Sequence, residues 1–168
     1  MPLPREFRLP LALLGIAGAA VLTVSVAGAM QDKQHDPQDI AWHNAQQAYL
    51  ASLKPADGWQ PVAGGLKWRL MSGDGSGPRP SVNDTVTVHY TGRFIDGQVF
   101  DSSVERGEPA TFPLGQLVKA WQIAIPLMGV GDTIEIAAPA DLAYGPKGRG
   151  PIPGGATLLF TVELRGIE

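Results

Sequence analysis

The chain has 168 residues, enough for one globular domain with an appendage and too few for two full domains. Hydrophobic residues make up 44% and charged residues 17%, which excludes a disordered or fibrous chain, and 21 Gly with 15 Pro in no Gly-X-Y period point to turn-rich β-structure. Thirteen Lys and Arg against 16 Asp and Glu leave no positive surplus for a nucleic-acid partner, and the lack of Cys removes disulfides, thiol catalysis and thiolate metal sites.

Residues 9–30 carry no charge and follow Arg5 and Arg8. Twenty-two such residues are long enough to cross a ~30 Å hydrocarbon layer, while Ala27-Gly28-Ala29 has the small residues of a cleavage site. A retained membrane anchor and a signal released near Ala29 both fit. In either case the basic end stays in the cytoplasm, so residues after Met30 are expected outside it, in a periplasm-like compartment, with the N-terminal segment contacting the membrane.

From Asp36 to Leu53 the spacing of Ile40, Trp42, Ala45, Tyr49 and Leu53 predicts one amphipathic helix, with Gln46, Gln47 and Ser52 off the stripe. Asp36 or Asp39 can cap it, Pro37 suits its first turn, and Pro55 with Asp57-Gly58 stops it. The stripe is expected to pack on the domain that follows, a dimerising role being the rival. We divide the chain into 1–30 as signal or anchor, 31–64 as helix and linker, and 65–168 as the folded domain.

After Leu66 the period becomes two. Leu66, Trp68 and Leu70, then Val86, Val88 and Tyr90, then Ile134 and Ile136, then Leu158, Phe160, Val162 and Leu164 alternate with other residues and read as half-buried strands. Asp96-Gly97 signals a hairpin. Only 117–128 reads as a helix in this region, with Val118, Trp121 and Ile125 on one face and Gly129 at its end. The expectation is an α+β fold in which one short helix covers a twisted antiparallel sheet.

Catalytic constellations are mostly missing. His35, His43 and His89 are scattered and lack metal-ligand spacing, His89 reading as a structural strand histidine. No Gly-X-Ser-X-Gly elbow, Walker loop or dinucleotide fingerprint occurs, and Gly145, Gly148, Gly150, Gly154 and Gly155 lead into a strand rather than a phosphate-binding helix. No metal or cofactor is expected.

What is present is an ordered series of aromatics and polar groups. Val88-His89-Tyr90-Thr91-Gly92, Asp96-Gly97, Val99-Phe100-Asp101-Ser102-Ser103, Leu114-Gly115, Trp121, Met128, Gly131, Ala143-Tyr144-Gly145, Ile152-Pro153 and Ala156-Thr157-Leu158-Leu159-Phe160 closely resemble the FKBP-type peptidyl-prolyl cis-trans isomerases from about Gly65 to Glu168. The resemblance implies a five- or six-stranded antiparallel sheet wrapped around one helix. It implies catalytic roles for Tyr90, Asp101, Trp121 and Tyr144, and substrate contacts from Phe100, Phe112, Val118, Ile152 and Phe160. Trp121 is then the pocket floor, Tyr90, Phe100, Phe112 and Phe160 its walls, and Asp101 and Tyr144 a polar pair at the rim, with Arg106 either holding Asp101 or solvated. The Tyr144 hydroxyl or the Val118 N–H would hold peptide carbonyls.

The implied partners are unfolded or newly exported proline-containing polypeptides, and macrolide inhibitors. Ala110 stands where relatives often have an aromatic, Ile123 replaces a commonly acidic position and Pro126 interrupts the helix, so macrolide affinity and loop specificity stay open. A proline-segment-binding chaperone with little turnover is the alternative function.

Overall fold

The computed structural model describes residues 40–168. The apolar segment 9–30 and the expected helix start at Asp36 lie outside the described residues. The first element, α1 (Ile40–Ser52), lacks Gly and Pro. It ends where Lys67, from the neighbouring strand, donates to the carbonyls of Leu50 and Leu53 at 2.7 Å each. A cation on the orphan carbonyls of a helix C-terminus both satisfies them and matches the helix dipole.

The strands are β1 (Gln60–Pro61), β2 (Lys67–Ser72), β3 (Thr85–Phe94), β4 (Val99–Ser102), β5 (Ala110–Pro113), β6 (Thr133–Ala138), β7 (Gly148–Arg149), β8 (Ile152–Pro153) and β9 (Leu158–Ile167). Seven of them form one antiparallel sheet in the order β1-β2-β6-β9-β3-β4, with β5 also pairing β3. Both β4 and β5 lie on the flank of β3 that β9 leaves open: β5 takes Thr85–Val88 and β4 takes Thr91–Arg93. The sheet therefore has one strand more than the resemblance implies, the addition being the two-residue β1. β7 and β8 make a separate hairpin in which a Cβ on Gly148 or Gly154 would collide with a backbone carbonyl. Close backbone approach, rather than phosphate binding, accounts for those glycines.

The Asp96-Gly97 turn joins β3 to β4, with Gly97 at φ +90° and the Asp96 carboxylate accepting from the Gln98 N–H. Two short helices complete the domain, α2 (Ser103–Arg106) and α3 (Lys119–Ala124). The helix expected over 117–128 is shorter than that. Val118 is extended and caps it, and a 3₁₀ turn over Ile125–Leu127 replaces its end because Pro126 has no N–H to continue the α pattern. α2 is a helix the hydrophobic period does not reveal.

The main core lies between α3 and one sheet face. Ala120, Trp121, Ala124 and Ile125 pack with Val86, Val88, Ile134, Ile136, Phe160, Val162 and Leu164, the inward set that alternation predicts. The opposite face is covered in part by α1, where Leu50 joins Trp59, Ala137 and Leu159 in a second buried cluster. At ~1.5–3 kcal/mol for each large apolar side chain buried, such docking stabilises a helix too short to persist alone.

The stripe expected on α1 is met in part: Trp42, Tyr49 and Leu53 pack on the domain, but its edge is shifted. Ile40 is 75% exposed, whereas Gln46, expected off the stripe, is 4% exposed. Trp42, Gln46 and Leu50 stand at i, i+4 and i+8 and face the sheet, while Ile40 lies ~200° around the axis from Trp42. Gln46 is buried because its Oε1 accepts the Thr157 N–H at 2.9 Å. Glu135 is likewise buried on this face, between Arg69 (2.7 Å) and Arg93, with the Arg69 guanidinium over the Trp59 ring.

Candidate active site

Five elements converge on one aromatic frame. Tyr90 from β3, Trp121 from α3 and Phe160 from β9 are almost wholly buried and meet edge to face, with ring centroids 5.3 Å apart for Tyr90 and Trp121 and 5.5 Å for Trp121 and Phe160. Phe100 from β4 extends the frame with an edge-to-face contact on Phe160 at 5.9 Å, and Phe112 from β5 stands behind Tyr90 at 6.3 Å. Such geometry matches ring quadrupoles and fixes each plane relative to the next. Gly92 makes it attainable: a Cβ there would stand 2.6 Å from the Phe100 ring and 3.2 Å from that of Phe160. Val118 and Ile152 belong to the same cluster, and Tyr144 packs against it.

The polar side of the frame is built around Asp101. The Tyr90 hydroxyl donates to one of its carboxylate oxygens at 2.6 Å, and Arg106 donates to the other at 2.5 Å. Arg106 also donates to the Tyr90 hydroxyl at 3.0 Å, closing a three-membered ring. Arg106 thus holds Asp101, and α2 is what delivers it. The Ser102 hydroxyl caps this helix by accepting the Glu105 N–H, and Gly107 ends it in the left-handed region at φ +77°. Ser103 fills the interval on β3 between the partners β4 and β5: its hydroxyl accepts the Tyr90 N–H at 2.8 Å and bonds the His89 ring at 3.0 Å. His89 is therefore a structural strand histidine, as its place in the sequence suggests.

Tyr90 and Tyr144 are held protonated far above the ordinary tyrosine range. Burial is the main cause for both. For Tyr90 the bond to Asp101 adds to it; for Tyr144 the Arg149 charge opposes and the Asp101 carboxylate adds. Their roles in bonding differ. Among the described residues, the Tyr144 hydroxyl and the Trp121 indole Nε1 are buried polar atoms without a hydrogen-bond partner. Leaving such a donor unpaired ordinarily costs about 1–3 kcal/mol.

The structure brings every expected site residue into this frame, but not in equal positions. Tyr90 uses its hydroxyl internally and can offer a substrate only its ring, and Phe112 touches the frame through Tyr90. Ser102 and Ser103 support the site without belonging to the expected set, and Arg106, expected either to hold Asp101 or to be solvated, holds it. Ser102-Ser103-Val104-Glu105 has the Ser-x-x-Glu spacing of a capping box, a readable signal that no apolar run follows. With both Asp101 oxygens engaged and both tyrosines protonated, the arrangement can bind, orient and polarise; it contains no activated nucleophile.

The sequence profile of the family described as FKBP-type peptidyl-prolyl cis-trans isomerase matches residues 77–165. The chain is 46% identical over 120 residues to the FKBP-type peptidyl-prolyl cis-trans isomerase FkpA of Aeromonas hydrophila, an alignment covering 71% of this chain and 44% of that protein. It is 43% identical over 122 residues to the outer membrane protein MIP of Legionella longbeachae, covering 72% and 52%. It spans about half the length of these curated relatives. The crystal structure of a peptidyl-prolyl cis-trans isomerase from Pseudomonas syringae superposes with a TM-score of 0.70 at 32% identity, over 76% of this chain and 94% of that one.

Proposed function

Because this chain belongs to the FKBP-type peptidyl-prolyl cis-trans isomerase family, we propose that it accelerates rotation about Xaa-Pro amides in exported polypeptides. The amide resists rotation by ~18–20 kcal/mol because planarity carries resonance. In the twisted transition state that resonance is lost and the amide becomes less polar, so an aromatic pocket costs the transition state less than the planar ground state. Trp121 is the floor for the pyrrolidine ring, and Phe100, Phe160 and the Tyr90 ring wall it, with Phe112 behind Tyr90. Val118 and Ile152 complete the apolar lining. The Tyr144 hydroxyl and the Val118 N–H hold peptide carbonyls, and Asp101, locked by Tyr90 and Arg106, supplies a fixed field beside the rotating carbonyl. No proton is transferred.

The observation that supports this reading most directly is the edge-to-face frame of Tyr90, Trp121, Phe160 and Phe100 beside an Asp101 carboxylate held by Tyr90 and Arg106. A protease-coupled assay on a short Xaa-Pro peptide tests it. Saturable turnover is expected. Binding of the peptide with no acceleration would overturn the enzyme reading in favour of a proline-segment-binding chaperone.

We further propose that residues 65–168 are the catalytic unit, that 31–64 link it to the N-terminal segment, and that residues 1–30 direct the chain out of the cytoplasm as anchor or cleaved signal. The uncharged run behind Arg5 and Arg8 supports this location, as does similarity to a relative named an outer membrane protein. Macrolides that occupy proline pockets are proposed as inhibitors. The N-terminal mass of the chain recovered from cells separates anchor from signal, and a full-length chain found in the cytosol would overturn the location.

A further inference from the structure

A second apolar groove lies outside the aromatic pocket, between α1 and the β3–β4 hairpin. Trp42 and Ala45 form one side, Phe94 and Ile95 the other, and Ala156 lies between them. It encloses about 180 Å³, comparable with the ~150 Å³ apolar cavity that accepts a benzene ring. The polar groups at its margin are already used: Gln46 Oε1 accepts from Thr157, and the Asp96 carboxylate accepts from Gln98. The groove therefore offers a ligand apolar surface.

Packed rings join it to the proposed active site. Phe94 packs on Phe100 with centroids 5.0 Å apart, and Phe100 in turn meets Phe160 at 5.9 Å. These two ring steps equal the reach of three to four extended residues at ~3.3 Å each. Residues 31–39, which lead into α1, contain Asp32, Lys33, Asp36 and Asp39 and no large apolar side chain, so the adjoining segment of this chain is unsuited to fill the groove.

We infer that the groove between α1 and the β3–β4 hairpin is a flanking subsite, which takes an apolar side chain of the polypeptide substrate about three or four residues from the proline. The inference rests on the isomerase reading above and gives α1 a part in selecting substrates. An unfolded polypeptide presents apolar side chains near its prolines, whereas a folded one hides them. Two contacts on one strand then act together, because occupying the first holds the second near its site.

The test uses the full chain in lipid nanodiscs and a pair of twelve-residue peptides that differ only in Leu or Asp placed three and four residues from the proline, with a Xaa-Pro tetrapeptide as control. Wild type is expected to show a KM about tenfold lower for the Leu peptide at equal kcat. Ala45→Glu, at an exposed helix position, and Ile95→Ser, on the opposite wall, should each remove that preference and leave tetrapeptide turnover unchanged. Equal KM values for the two peptides in wild type, or equal losses on the tetrapeptide and the long peptides, would overturn the inference. So would crosslinking that traps a dimer in wild type and not in Ala45→Glu, since a second copy would then be the occupant. Should no peptide be turned over, the isomerase reading fails by itself, and fluorescence anisotropy of the same pair still decides: tighter binding of the Leu peptide that Ala45→Glu abolishes supports the groove, and equal binding rejects it.

Discussion

Replacing Tyr144 by Phe separates what this fold needs from what its site needs. The change deletes one oxygen from a side chain packed against the main core and leaves the ring in place. Its hydroxyl has no partner among the described residues, so the folded chain gives up hydration of that group and receives no bond in return. An unsatisfied buried donor costs about 1–3 kcal/mol, so removal of the group should leave stability unchanged or raise it by up to about that amount. Catalysis should move the other way. One neutral hydrogen bond to a peptide carbonyl is worth about 0.5–1.5 kcal/mol, so kcat/KM should fall roughly two- to tenfold. Tyr90→Phe is the matched control, because its hydroxyl bonds both Asp101 and Arg106 and its loss should destabilise by about 1.5–3 kcal/mol. Urea unfolding of both variants beside wild type, with peptide isomerisation on the same samples, provides the comparison. A Tyr144→Phe variant that loses more than ~1 kcal/mol would show that the hydroxyl is bonded within the fold, and one that keeps full activity would remove it from the substrate contacts.

Trp121 is fully buried, so Trp121→Ala should cost ~3–5 kcal/mol and abolish turnover; the milder Trp121→Leu, assayed below its melting transition, should remain folded and largely inactive, and near-normal activity there would sink the floor assignment. Gln46→Ala leaves the buried Thr157 N–H without its acceptor and should destabilise by ~1–3 kcal/mol, with faster hydrogen exchange at the Thr157 amide and unchanged tetrapeptide turnover; an unaltered exchange rate would refute the docking role. Tyr90 and Tyr144 stay protonated in the fold past the ordinary value of 10.0, so above that pH the unfolded chain releases protons that the folded chain keeps, and stability should fall as pH rises. Tyr144→Phe should flatten that fall in urea titrations between pH 9 and 11, and an unchanged slope would contradict the burial of the hydroxyl.

Legibility in the sequence followed from which side of the sheet a residue serves. The α3 face was readable, since Val86, Val88, Tyr90, Ile134, Ile136, Leu158, Phe160, Val162 and Leu164 keep a period of two within their strands and all are buried. The other face was not, because there α1, Trp59 and the strands meet through mixed chemistry: Glu135 is neutralised by two arginines and Gln46 by a backbone amide, and neither side chain looks like core in a hydrophobic pattern. Leu70, expected to be half-buried, is 43% exposed, in the outer half of β2 where its register with β6 shifts. The site residues were assembled from the family resemblance, which supplied identities but not bonding states. That Tyr90 spends its hydroxyl on Asp101 while Tyr144 keeps its own free is a matter of three-dimensional distance. Arg106 read equally as a partner of Asp101 or as a solvated arginine, and the choice falls to the pair because a four-residue helix, too short for any periodicity to register, turns its side chain back.

The strand that comes last in chain order occupies the middle of the sheet. β9 separates β6 from β3, and without it the group β1-β2-β6 and the group β3-β4-β5 share no ladder. Its register joins Phe94 to Leu158 and Val86 to Ile167, pairs 64 and 81 positions apart in the chain. Loops of that length must close before the pairing can reward them, so assembly of this sheet is a late event with high contact order, in the millisecond-to-second class rather than the microsecond class. Until β9 is in place, both groups expose strand edges and apolar faces. A chain exported in N-to-C order would therefore reach the far side with nothing yet closed, and would itself pass through the kind of unfolded state on which the pocket is proposed to act.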